Sequence, residues 1–533
     1  MVMMKVLVAE ILISLSLSWL RLAVALALSV FSALIVGIAA GVDRRIEKGV
    51  IPVLDVLQSV PILGFFPIAI YFLATSIPII GLELASIFLI FTCTFWNIAF
   101  GVYEAVRAVP TSVLDVLELS NLGWAARLSK VYIPASIPRI ADQLPASLAN
   151  AFYFLAASEI LALGSEELAL SGIGSLILGA IAKGDIYTAA LSLAAVVLSI
   201  SAVYLFVINP ISSYANKYRF DITQPPARPP RIVLPHILPT IRLHLFQPIT
   251  RFSITAQRIL PTALVNVRYV SWGAIRILAF ISLIAGLILL VARVYAELPD
   301  VQATVIGILA AAASLGVIPM LEAVGFSMMR VAICISLNFA ISLIIVYGLV
   351  EKAGRLRDAI LPLLQIVASL PAPLVFPLVA PLFEANPLSR EAGAILLMSL
   401  GTFWYILYST LGGFTKVHTE YLELAELYKL SGLKKLRYIY LPFAVPSIVT
   451  GLLTATGGAW NTIIIAERLG LEGGIFEVTT PGLGKIMAEF AERGDLYALA
   501  YTVIVMTLVI VALNRILWRR LYDYAIKALR IHE

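Results

Sequence analysis

Glu420, Glu423 and Glu426 recur every third residue and are followed by the basic group Lys434, Lys435 and Arg437. Acids at that spacing line one face of a helix. A break near Ser431-Gly432 then lets a second, basic segment begin. Such a charged knob does no bond-making chemistry; it is a surface for docking in water, because burying its charges in lipid would cost several kcal/mol. Two further carboxylates, Glu159 and Glu467, lie inside apolar runs. A carboxylate there marks function by default, with bonding to the backbone of the glycine-rich segments that follow as the structural alternative. Trp96, Asn97, Trp404, Tyr405 and Asn461 are the other polar or aromatic groups in apolar runs that could line a pathway or gate, against an ordinary packing role.

Catalytic chemistry finds no support. His236, His244, His418 and His532 show no ligand spacing, and Cys93 and Cys334 read as buried reduced thiols. The nearest approach to a phosphate loop, Gly482-Leu483-Gly484-Lys485, lacks both the spacing and the hydroxyl. No cofactor, metal or catalytic site is expected, and no nucleic-acid partner. Any ATP chemistry must come from another polypeptide.

The elements that carry these residues are helices in a bilayer. The 533 residues are 61% hydrophobic and 13% charged, against about 25% charged in a soluble protein. Several runs approach the ~20 apolar residues a spanning helix needs, and the alternation of an outer-membrane barrel is absent. The expected fold is all-α and polytopic.

An internal repeat organises the chain. The stretch Tyr421 to Pro446 echoes Val113 to Pro138, so Asp115 falls on Glu423, Glu118 on Glu426, Pro134 on Pro442 and Pro138 on Pro446. The match extends outward: Phe66-Pro67 with Phe376-Pro377, Phe95-Trp96 with Phe403-Trp404, Glu159 with Glu467, and the glycine turn at Gly172 with Gly482. Domains are expected at 1–208, a first five-span unit; 209–271, a basic, proline-rich cytoplasmic linker; 272–328, an extra spanning helix with an outer interfacial segment from Val305 to Pro319; and 329–533, the second unit. Both knobs must face one side to do one job, so an odd number of spans separates the two five-helix sets. About eleven transmembrane helices result, in two parallel repeats plus one linking helix, with the N-terminus outside and the basic C-terminus in the cytoplasm.

The knobs resemble the Glu-Ala-Ala loop of the permease subunits of ABC importers. Counting back from Leu441-Pro442, its slots fall on Glu423, Leu424 and Ala425, with Lys429 where the family has glycine. From Ile133-Pro134 they fall on Asp115, Val116 and Leu117, with Asn121 in the glycine slot. Neither copy keeps that glycine, which displaces the expected break to Gly432 and Gly123. The proline-bearing segments, the span-four glutamates, the glycine turns and Arg21 and Arg330 are similar to the nitrate, sulfonate, taurine and bicarbonate branch.

The resemblance implies two permease units fused in one chain of the plasma membrane, passing a small anionic solute. Two ABC ATPase subunits would dock on Asp115, Glu118, Gly123 and Pro134 in one copy, and on Glu423, Ala425, Glu426, Gly432 and Pro442 in the other. An extracytoplasmic solute-binding protein would deliver the solute. The rival reading is a secondary transporter not coupled to ATP; the parallel repeats favour the importer.

Overall fold

A computed structural model describes residues 2–58, 60–77, 80–120, 124–163, 170–218, 301–351, 357–368, 370–415, 417–471, 474–518 and 520–521. Most of the expected linker, the whole of the expected linking helix, Gly123 and most of the basic C-terminal tail lie outside the described residues.

The first half runs α1 (Val2–Val42), α2 (Arg44–Gln58), α3 (Ile62–Ser76), α4 (Gly81–Arg107), α5 (Thr111–Leu119), α6 (Trp124–Arg127), α7 (Ile133–Leu163), α8 (Ile173–Ala182), α9 (Ile186–Val203) and α10 (Asn209–Ala215). After α11 (Val301–Leu315), the second half follows as α12 (Val317–Glu351), α13 (Arg357–Ala368), α14 (Ala372–Val379), α15 (Pro387–Phe414), α16 (Thr419–Leu427), α17 (Gly432–Lys435), α18 (Leu441–Glu467), α19 (Leu483–Arg493) and α20 (Leu496–Leu513). One antiparallel hairpin, β1 (Arg468–Leu471) with β2 (Gly474–Glu477), joins α18 to α19 and is the only strand pair among the described residues.

The repeat holds at the level of single turns. α5 and α6 recur as α16 and α17, and α8 and α9 recur as α19 and α20, with the same lengths or within one residue of them. Even wide π turns recur, Leu128–Tyr132 as Leu436–Tyr440 and Tyr204–Ile208 as Asn514–Trp518. Pi turns inside α-helices often mark functional sites.

Seven described helices are long and apolar enough to cross a membrane: Lys5–Val42, Gly81–Arg107, Ile186–Ala215, Val317–Glu351, Pro387–Phe414, Gly432–Glu467 and Leu496–Trp518. The protein is an all-α, multi-pass membrane protein. The expected second spans are short, Ile62–Ser76 and Ala372–Phe383. Each follows a break at proline, Pro61 or Pro371, because proline lacks the N–H that would continue the preceding helix. α1 is continuous over 41 residues, about 60 Å at 1.5 Å per residue. α11 is a separate helix, parted from α12 at Gly316, whose φ of 73° suits glycine; α12 runs without interruption through position 329.

In each half a triplet of long helices forms the scaffold. α1 packs on α4, and α4 on α7, at close range. A Cβ at Gly37 would come within 2.7 Å of Val102, and one at Gly41 within 2.7 Å of Val106. Small residues of this kind let helix backbones approach in lipid, where packing takes over from the hydrophobic effect. Polar pairs tie the same helices at matching depth: Ser29 Oγ with Thr94 Oγ1 at 2.6 Å, and Asn338 Nδ2 donating to Thr402 Oγ1 at 3.0 Å.

Candidate functional site: two docking knobs, two ion clamps and a seam

The second knob is α16 and α17. Its acids Glu420, Glu423 and Glu426 are exposed while Ala425 between them is fully buried. The helix stops at Leu427 because the chain reverses at Lys429. The Lys429 N–H donates to the Glu426 carbonyl at 3.0 Å and the Leu430 N–H to the Ala425 carbonyl at 2.8 Å, the two bonds of a Schellman turn. That turn needs a left-handed residue, and Lys429, with φ of 51°, is the only non-glycine at positive φ among the described residues. The break therefore falls in the glycine slot itself, three residues before Gly432. Gly432, exposed and at φ of 56°, opens α17.

The knob is bolted to α12 and α15. The Tyr347 hydroxyl donates to the Gly432 carbonyl at 2.9 Å, and Lys435 Nζ pairs with Glu351 at 2.9 Å. The Tyr440 hydroxyl donates to the same carboxylate, and its ring stacks on Phe414 with centroids 4.8 Å apart. Pro442 is half-buried at the root of α18. Outward, Leu427 is 77% and Leu433 82% exposed.

The first knob is α5 and α6. Asp115, Leu119 and Trp124 are exposed, Leu117 takes the buried place of Ala425, and Pro134 the half-buried place of Pro442. Arg127 donates to the Leu117 carbonyl at 3.5 Å. Glu118 belongs to α5; its side chain, like Gly123, lies outside the described residues.

At the ends of α4, α7, α15 and α18 remote from the knobs, and well inside α1 and α12, each half carries a buried ion clamp. Arg21 of α1 donates from Nη1 to Glu159 Oε1 at 2.8 Å, and from Nε and Nη2 to Glu83 at 2.5 and 2.7 Å. Ser18 donates to Glu159 at 2.6 Å, and the Gly174 N–H to the other carboxylate oxygen at 2.6 Å. The second half repeats the arrangement. Arg330 Nη1 donates to Glu467 at 2.6 Å and Nε to Glu391 at 2.6 Å; Ser327 donates to Glu467 at 2.7 Å and the Lys485 N–H at 3.0 Å. Glu159 and Glu467 are fully buried with both oxygens bonded, so each carboxylate joins its own span to the helix that follows the glycine turn. A side chain at either glycine would displace its clamp: a Cβ at Gly172 would sit 2.1 Å from Glu159, and one at Gly482 2.2 Å from Glu467.

Beyond the second clamp, Arg468 pairs with Glu492 at 2.9 Å and with Glu489 and Glu477. The Glu492 bond, with the charges of Glu477 and Glu489, holds its guanidinium above the ordinary arginine range. In the first half Asp185 caps α9 by accepting from Thr188, which keeps its carboxyl below the usual range.

The two halves meet along a seam of mixed origin. Asn461 Oδ1 of α18 accepts the Ile62 N–H at the start of α3, 2.7 Å away. Tyr405 of α15 donates its hydroxyl to Asn150 Oδ1 of α7. Trp404 stacks on Tyr408 and Trp96 lies edge-on to Phe95, each contact within its own half, and Asn97 is half-buried. Among the described residues, Trp96 Nε1, Ser147 Oγ and the Tyr408 hydroxyl are buried with no hydrogen-bond partner.

Of these features the sequence points to the knobs, the span-four glutamates, and Asn461 and Tyr405. It misses Glu83, Glu391, Ser18, Ser327 and Asn150 as partners, although the acids at 83 and 391 share the offset of the repeat. Among the described residues no group of histidine, cysteine and carboxylate side chains could hold a metal ion.

The binding-protein-dependent transport system inner membrane component family matches the chain twice, over residues 33–209 and 340–523. A nitrate import permease protein of Synechococcus elongatus is 30% identical over 149 residues, 28% of this chain and 52% of the relative. A bicarbonate transport system permease protein of the same organism is 31% identical, over 26% of this chain and 49% of the relative. A nitrate import permease protein of Leptolyngbya laminosa is 29% identical, over 26% and 48%. The chain spans about half the length of the curated relatives it matches.

Proposed function

Because the chain belongs to the binding-protein-dependent transport system inner membrane component family, we propose that it is the permease subunit of an ABC importer, with both halves of the translocation pathway on one polypeptide. The observation that carries this reading is the paired knob. The same two-helix protrusion, with the same π turn at its root, occurs once in each half. Two such surfaces suit two ATPase subunits, which supply the hydrolysis.

The relatives named for nitrate and bicarbonate import support a small anionic solute, delivered by an extracytoplasmic binding protein. In this reading Asp115, Glu118, Gly123 and Pro134 belong to the first dock, and Glu423, Ala425, Glu426, Gly432 and Pro442 to the second. The knobs face the cytoplasm and the clamp ends face outward, which sets the N-terminus outside and the C-terminus inside. Closure of the ATPases draws the knobs together, and the rigid helices behind them convert that motion into rocking of the two halves. Trp96, Asn97, Trp404, Tyr405 and Asn461 stand along the pathway side. Glu159 and Glu467 act by holding the scaffold, since a full set of hydrogen bonds leaves them nothing to offer a passing anion.

Co-expression with ABC ATPase subunits and an extracytoplasmic binding protein of the same family of importers tests the proposal. We expect a stable complex whose ATP hydrolysis rises with the loaded binding protein. Solute accumulation by the chain alone, driven by an ion gradient, would establish the secondary transporter instead.

A further inference from the structure

The hydrogen bonds described across the seam use residues that the repeat does not share. Under the offset of the knobs, Tyr405 stands where the first half has Asn97, and Asn150 where the second half has Gly458. Only one of the two possible cross-half contacts of this kind can therefore form: the Tyr405 hydroxyl of the second half donates to Asn150 Oδ1 of the first. Gly458 leaves room for the reach, because a Cβ there would come within 3.5 Å of the Tyr405 ring and 3.1 Å of Thr402 Cγ2. One turn along α15, Gly401 lies beside Tyr153 of the first half and Thr462 of the second. Asn461, next to Thr462, makes a second cross-half bond by accepting from the Ile62 N–H at 2.7 Å.

From this geometry we infer that the Tyr405–Asn150 hydrogen bond is a latch holding the two halves closed over the pathway, with Asn461 and the Ile62 N–H as its second catch. The bond crosses between the bodies that must separate, so it breaks when the seam opens and reforms when it closes. Hydrogen bonds between membrane helices are weak enough to serve, shifting an equilibrium by about three- to tenfold each. A latch of that size biases the resting state without resisting ATP-driven motion. The asymmetry also means that the halves cannot be interchanged, since two copies of either half would lack one member of the pair. The inference rests on the reading of the chain as a two-half permease.

The test uses the full chain in membrane vesicles, with neither ATPase nor solute. Thr462 is 3% exposed, so Thr462→Cys should react slowly with a charged, water-soluble maleimide. Adding Tyr405→Phe, which keeps the ring and removes the donor, should raise that rate about three- to tenfold. Asn150→Leu should do the same, and Asn150→Asp, which keeps an acceptor oxygen, should leave the rate slow. Leu433→Cys on the exposed knob should label equally in every background, which normalises for the amount of chain and reagent, and an unchanged thermal midpoint of each variant reports that the chain is folded. Unchanged labelling in both Tyr405→Phe and Asn150→Leu, or equal opening by Asn150→Asp and Asn150→Leu, would overturn the latch. Because the readout needs no ATPase, such a failure leaves the permease reading to its own test.

Discussion

Arg330 bonds Glu467 at 2.6 Å, and in the first half Arg21 bonds Glu159 at 2.8 Å in the same arrangement. Both carboxylates are fully buried and both guanidinium groups nearly so. Removing one partner of such a pair strands the other charge, at a cost of about 3–5 kcal/mol. Arg330→Met should therefore destabilise the chain strongly, read as loss of detergent-stable protein and a lowered thermal midpoint. The double variant Arg330→Met, Glu467→Gln removes the stranded charge and should recover part of the loss. Equal stability of Arg330→Met and the parent would show that the clamp does not hold the scaffold.

The glycine turns follow from the same clamps. Gly482→Ala places a methyl group 2.2 Å from Glu467 Oε2 and 2.7 Å from Arg330 Nη1, so the clamp or the turn must give way. Gly348→Ala meets nothing within 4 Å and gains helix propensity of up to about 1 kcal/mol. Comparing the yield of folded protein from the two variants checks the claim; similar yields would refute it.

How much of this was legible in the sequence varies with the distance the signal must travel. The knobs and the repeat are written in local charge and spacing, and Glu159 and Glu467 stand out because carboxylates are rare in apolar runs. Their partners do not stand out. Glu83 and Glu391 look like ordinary acids near the start of a span, and only the fold brings them 2.5–2.6 Å from Arg21 and Arg330. The latch is harder still, since Tyr405 and Asn150 lie 255 residues apart in halves whose docking no local pattern encodes. Lys429 shows the opposite case: counting to the glycine slot finds it, but the residue type hides its left-handed backbone.

Lys429 gives a stability prediction of its own. A non-glycine residue in the left-handed region costs about 1–2 kcal/mol, so Lys429→Gly should stabilise the second knob by about 1 kcal/mol or leave it unchanged. Lys429→Val, β-branched, should weaken it. Thermal midpoints of the purified chain separate the two; a destabilised Lys429→Gly would mean that the lysine side chain matters more than its backbone.

The knobs should differ in their hold on the ATPases. Glu423→Lys or Glu426→Lys should abolish ATPase co-purification and uptake, because both acids are exposed on the better-formed knob. Charge reversal at Asp115 or Glu118 should have a milder effect, since the first copy keeps less of the docking pattern. Normal assembly of the Glu423→Lys chain would remove that acid from the dock.

The arrangement of both knobs on one side of the membrane is the claim on which the importer stands. Ser120→Cys and Tyr428→Cys place thiols at exposed positions on the two knobs, and an impermeant maleimide applied to intact and then permeabilised cells reads their side. Labelling of both only after permeabilisation is the predicted result. Labelling of one in intact cells and the other only after permeabilisation would contradict it.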